Sequence, residues 1–265
     1  MYLENFCSPA SFFCRHRQTA ASRYPFPVLI AITGGTGFVG RAVQRHLLEA
    51  GHTVRLMTRR NPTSRLDSQG FPRGQAISGV EYRTPSPEDP EAAAEALRGA
   101  QALLHLVGII SEHGTQRFDA VHSGLTQTWL KAAERAGVRR FLHMSALGTR
   151  PQARSRYHQT KWAAECLVRA SPLDWTIFRP SIVYGAEDAF TQLFARLARW
   201  SPVLPLLGGG RNLLQPIAVD QVAAAFTQAI TTPSALGQTW DLCGPERLSL
   251  AALVRQILDV TGRRR

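Results

Sequence analysis

The chain has 265 residues, 44% of them hydrophobic, enough for one core or one core with a small appendage, and no stretch reads as a membrane span. A net charge of +12 raises nucleic acid as a partner, yet of the 31 basic residues only Lys131 and Lys161 are lysines. Such an arginine skew follows base composition more than a binding surface, and neither an aromatic-interleaved basic run nor a zinc-finger spacing occurs, so nucleic acid is set aside.

Residues 1–26 are rich in aromatics and serine and basic through Arg15, Arg17 and Arg23, without the long apolar core of a secretory signal. They are expected to form a disordered or non-native extension that folding does not need. Val28 to Ile32 is an apolar run suited to a strand buried on both faces. Glycines follow at Gly34, Gly37 and Gly40, and then Val39, Val43, Leu47 and Ala50 recur at helical spacing up to a stop at Gly51. This reads as strand, tight turn, helix. In such a turn Gly34 reverses the chain, Gly37 lets backbone N–H groups approach a pyrophosphate, and Gly40 lets the helix pack close on the strand. The helix N-terminus, with Thr36, Phe38 and Val39, then presents N–H groups and a partial positive charge to phosphates.

Thr53 to Thr58 reads as a second strand ending in Arg59 and Arg60. An acid at that point would bind the ribose 2′-OH of NAD, whereas arginine suits the 2′-phosphate of NADP. There is no acid from His52 to Arg60, so NADP(H) is expected over NAD(H). Residues 61–79 read as a loop with short helical content, and Val80 to Arg83 as a third strand. A helix follows over Glu91 to Leu97, with Asp89 as its N-cap and Pro90 at its first position. Ala102 to Val107 is a fourth buried strand, ending at Gly108. Gln116 to Ala136 reads as one long helix closed by Gly137. Arg140 to Met144 is the fifth strand, a helix spans Arg156 to Arg169, and Trp175 to Phe178 is the sixth strand. The alternation predicts an α/β fold with a doubly wound parallel sheet. It weakens after residue 185. Residues 27–185 are therefore assigned to a Rossmann domain, and 186–265 to a small, reduced substrate lobe. Gln215 to Ala223 and Leu242 to Pro245 would stitch that lobe back onto the sheet.

Tyr157 and Lys161 stand one turn apart on the predicted helix, and Ser145 lies at the end of the fifth strand, where open α/β sheets bind ligands. With 5 tyrosines and so few lysines in the chain, chance would supply roughly 0.04 such Tyr-x-x-x-Lys pairs. A free phenol is a poor base at neutral pH, and a nearby ammonium would lower its pKa. Ser145, Tyr157 and Lys161 with the G-x-x-G-x-x-G turn resemble the short-chain dehydrogenase/reductase superfamily, in its extended and atypical branches. The resemblance implies that Ser145 orients a substrate carbonyl or hydroxyl, that Tyr157 is the acid/base, and that Lys161 also holds the nicotinamide ribose. It further implies cofactor contacts at Val107, Gly108, Pro180 and Ser181. Thr84-Pro85 stands where the family keeps an acid for the adenine.

The segments Thr33–Gly40, Leu106–Ile109, Ser145–Gly148, Arg179–Ser181 and Gln215-Pro216 are similar to the NAD(P)H-binding accessory subunit of respiratory complex I and its bacterial, quinone-linked relatives. Two functions are expected from this. One is an NADPH-dependent oxidoreductase acting on an apolar, quinone-related substrate. The other is a non-catalytic holder of NADPH within a respiratory or quinone-synthesis complex. A nucleotide-sugar epimerase or dehydratase is a third reading. Cys7, Cys14, Cys166 and Cys243 form no C-x-x-C pair, which speaks against a metal centre and fits a reducing, cytoplasmic compartment. Between Val138 and Trp162 six basic residues and no acid form a rim suited to an anionic substrate or lipid headgroup at the inner face of a membrane.

Overall fold

The structure is a computed structural model that describes residues 28–59, 79–200 and 206–260. The expected N-terminal extension, Arg60, the 61–78 loop and Thr261 to Arg265 lie outside the described residues. β1 (Leu29–Thr33) leads through the glycine turn into α1 (Phe38–Glu49), followed by β2 (Thr53–Met57) and β3 (Val80–Arg83). Next come α2 (Pro90–Leu97), β4 (Ala102–His105), a π-helical turn (Asp119–Gly124), α3 (Leu125–Ala136), β5 (Arg140–Met144), α4 (Arg156–Ala170) and β6 (Asp174–Pro180). The remainder is β7 (Val183–Tyr184), α5 (Ala189–Trp200), β8 (Leu213–Leu214), β9 (Ile217–Ala218), α6 (Val219–Thr231), β10 (Gln238–Leu242), β11 (Leu248–Ser249) and α7 (Leu250–Val260).

Seven strands form one parallel sheet in the order β10-β6-β5-β4-β1-β2-β3. The chain leaves the β3 edge and re-enters beside β1 as β4. The crevice between the C-terminal ends of β1 and β4 is therefore the topological switch point. Strand side chains alternate between two cores: Ile30 and Ile32 face α1 and α6, while Ala31 faces α2 and α3. That division explains why β1 reads as a continuous apolar run rather than an alternating one.

Differences from the sequence reading have local causes. The expected helix from Gln116 does not start there, because Gln116 pairs with His113 in an antiparallel bridge after the left-handed Gly114. The backbone then takes one wide π turn before α3 begins. The fourth strand stops at His105, two residues early. β6 runs longer than expected because β10 pairs with it from Gln238 to Leu242. The segment after residue 185 thus supplies the last strand of the sheet and, through α6, part of its cover. What stands off the sheet is α5 against α7, with Phe190, Phe194, Ala198, Val254 and Leu258 between them. Among the described residues no helix is long and apolar enough to cross a membrane.

Candidate active site

The glycine turn lies at the switch point, and its geometry leaves little freedom. Gly34 has a φ of +75°, and a Cβ there would stand 2.8 Å from the Leu106 carbonyl carbon and the Val107 nitrogen. A Cβ on Gly40 would meet the carbonyl oxygens of Gly34 and Gly35 at 2.4 Å. α1 begins at N-cap Gly37 with no side chain bonding its first turn. Its leading N–H groups, from Phe38 and Val39 onward, are thereby left for another acceptor. The Phe38 and Val39 side chains pack against the core, so these two residues face the turn through their backbone.

A groove of about 400 Å³ runs past this turn and is walled by Gly34, Thr36, Gly37, Arg59, Val107 and Gly108, among others. Pro85 also borders it. A backbone-lined cradle, an uncapped helix start and an exposed arginine at the far end suit a dinucleotide with a pyrophosphate in its middle. Pro180 and Ser181 lie at the sheet end beside Ser145, not on this groove's wall. Their main-chain groups are used in the sheet, with Pro180 O accepting from Leu147 N and Ser181 N donating to Leu242 O.

Ser145, Tyr157 and Lys161 lie beyond the end of β5 and on α4. Ser145 follows β5, buried, with its Oγ 3.4 Å from Thr149 Oγ1, which in turn lies 3.4 Å from His158 Nδ1. Ser155 caps α4, which carries Tyr157 and Lys161 on one face. The Tyr157 ring meets His122 edge-on, with centroids 5.3 Å apart, and is also flanked by Phe118 and His158. Burial raises its phenol pKa. The expected lowering by Lys161 is not what results, because desolvation decides the direction.

Lys161 is buried and donates from Nζ to Met144 O at 3.0 Å. A Cβ on Gly108 would stand 3.0 Å from the same Nζ, so the ammonium sits against the loop after β4. Burial lowers its pKa to about 8, partly offset by Glu165. Three histidines surround it. Burial first, and the Lys161 charge second, push His105 down to about 3, His122 to about 4 and His143 well below its ordinary value. At neutral pH Lys161 is therefore the cation of a cluster whose imidazoles are uncharged.

Sequence reasoning missed these histidines. His105 and His143 occupy paired positions on β4 and β5 and stack with centroids 5.6 Å apart, and His105 Nδ1 lies 2.7 Å from Thr33 Oγ1. The available signal was a polar residue interrupting two apolar strand ends, Leu-Leu-His-Leu and Phe-Leu-His-Met. His122 comes from the π turn. Its Nε2 lies 3.0 Å from Ile109 O and 3.2 Å from Ile109 N, and its Nδ1 lies 2.8 Å from Thr160 Oγ1. His122 thereby ties the loop after β4 to the helix of Tyr157 and Lys161.

A family profile described as NAD(P)H-binding matches residues 34–233, from the glycine turn to the end of α6. The chain belongs to this NAD(P)H-binding family. It is 31% identical over 239 residues to NADH dehydrogenase (ubiquinone) 1 alpha subcomplex subunit 9, mitochondrial, of Rattus norvegicus, covering 89% of this chain and 62% of the relative. It is 33% identical over 205 residues to the ceramide reductase of Caulobacter vibrioides, covering 77% and 62%. The chain thus spans less than two thirds of the length of these relatives. Among solved structures, the dTDP-glucose 4,6-dehydratase DesIV of Streptomyces venezuelae superposes with a TM-score of 0.73 at 22% identity, covering 89% of this chain and 82% of that one. That likeness concerns the fold alone, the Rossmann-like parallel sheet of this chain.

Proposed function

We propose that the chain is an NADPH-dependent oxidoreductase that reduces a carbonyl on an apolar, quinone-related substrate. What supports this is Ser145 at the carboxyl end of β5, with Lys161, one turn from Tyr157 on α4, held against Met144 O and against Gly108 of the groove. A bound NADPH would supply the hydride. Tyr157, its pKa raised by burial, keeps its proton at neutral pH and so acts as the acid that protonates the substrate oxygen. The Ser145 hydroxyl holds that oxygen. Lys161 supplies the positive charge that a developing phenolate needs, and solvent returns the proton to Tyr157. The test is Tyr157→Phe, which removes one hydroxyl and keeps the ring packing. Turnover should fall by about 10²–10⁴-fold with nucleotide affinity nearly unchanged. Lys161→Ala should reduce both.

The preference for NADP(H) rests on Arg59, exposed on the groove wall, with Arg60 as the alternative. A charge-assisted contact to the 2′-phosphate contributes about 1.5–3 kcal/mol. Calorimetric titration should show tighter binding of NADPH than of NADH, and Arg59→Ala should abolish the difference. Equal affinity of the parent for both nucleotides would refute the preference.

A second reading is a non-catalytic holder of NADPH in a respiratory or quinone-synthesis complex, favoured by the relative named as a complex I subunit. Under it, Tyr157→Phe would change nothing measurable. A cytoplasmic site peripheral to the membrane suits either reading. The expected basic rim bears on this: Arg150, Arg154 and Arg156 are exposed, but Arg156 pairs with Asp119 and Glu112, which reduces the charge available for an anion.

A further inference from the structure

A cavity of about 760 Å³ opens between α5 and α7, within the range of small-molecule sites. Its wall on the sheet side is the chain from Ile182 to Ala186, which continues from the end of β6 through Ser181, whose N donates to Leu242 O. Gly185 on that wall packs against the Phe38 ring of the glycine turn. The cavity therefore begins at the sheet end after β6, beside the start of α1, and runs outward through the lobe.

Its lining is apolar. Ile182, Phe190, Ala195, Leu253, Ile257 and Val260 dominate it. Among the described residues its single charged side chain is Glu246, and no lysine or arginine lines it. A nucleotide sugar carries a diphosphate, which such a wall would repel and leave without a donor cation. A hydrocarbon chain matches it. α5 also turns Leu193, Leu197 and Trp200 to solvent at helical spacing, with Trp200 at 89% exposure. An apolar stripe on the same helix as the cavity wall suits entry from a lipid phase.

We infer that this cavity is the site for a long aliphatic tail, so that the reducible carbonyl is presented to Tyr157 at the head of a lipid chain. This deepens the oxidoreductase reading and rests on it for the identity of the reaction, though not for the binding itself.

The experiment is calorimetry on the full chain without nucleotide, using hexan-1-ol, octan-1-ol, decan-1-ol and dodecan-1-ol, with farnesol and UDP-glucose alongside. Affinity should rise roughly fourfold per methylene until the cavity is full. The ratio of dodecanol to farnesol affinity tells a straight acyl tail from an isoprenoid one. Ala195→Trp, which fills the cavity, should weaken dodecanol at least tenfold and leave NADPH binding intact. Gln256→Trp on the opposite wall serves the same purpose should the first variant fail to fold. A flat alkanol series, tighter binding of UDP-glucose than of dodecanol, or folded filling variants that bind dodecanol as the parent does would overturn the assignment. Failure of the oxidoreductase reading would show separately, as absent turnover with NADPH on any carbonyl, and would leave the alkanol series untouched.

Discussion

Lys161 costs the empty protein stability, and pH exposes that cost. Its folded pKa of about 8 lies below the ordinary lysine value of 10.5, so between these values the unfolded chain binds a proton that the folded chain does not. Stability therefore rises with pH across that window. Lys161→Met should melt higher than the parent at pH 7, and the gap should narrow by pH 10. A constant gap would show that Lys161 is not desolvated in solution. The histidines act on the acid side. Their folded pKa values lie below 6.5, so their contribution is present above that pH and lost as pH falls toward about 4 and 3. Among the described residues neither ring nitrogen of His143 has a hydrogen-bond partner. His143→Phe keeps the stack on His105 and removes two orphaned polar atoms. It should raise stability by about 1–3 kcal/mol and flatten the melting curve between pH 6.5 and 4.

Two elements meet on one buried carboxylate, and a third approaches through its arginine partner. Glu165 of α4, fully buried, accepts from Arg179 of β6 at 2.8 and 2.6 Å and from Arg169 one turn on at 2.7 Å. Asp241 of β10 stands 3.9 Å from Arg179. Glu165→Leu would leave two cations facing an apolar side chain. Urea denaturation should report a loss of about 3–5 kcal/mol, against a smaller loss for Glu165→Gln, which keeps the hydrogen-bond acceptor. The sequence shows why α4 forms but not this role: a glutamate in an amphipathic helix reads as solvated until β10 comes to lie beside β6.

The whole molecule binds its two portions through the sheet rather than through surface charge. Arg41 pairs with Glu187 and Arg45 with Asp220, all four exposed. Such pairs contribute little, so Arg41→Ala should shift the melting temperature by a degree or two at most. Nucleotide should do far more. NADPH at a hundred times its Kd should stabilise the protein by about 2.7 kcal/mol through linkage, and Lys161→Ala should diminish that gain at any fixed concentration. No shift with NADPH in a protein of confirmed fold would remove the groove from consideration as a dinucleotide site.

The order of strands and helices, the glycine turn, and the placing of Tyr157 and Lys161 on one helical face were legible in the sequence, because each follows from local periodicity and backbone sterics. β1, α2 with its Asp89 cap and Pro90 start, and β5 are what those rules predict. The tertiary structure alone decided what depends on neighbours remote in the chain. Gln238 to Leu242 is a short and partly polar stretch that becomes a strand because β6 offers it an edge. The π turn exists where His122 bridges Ile109 and Thr160. The direction of the Tyr157 shift came from burial, and spacing along a helix carries no information about how far water is excluded from it.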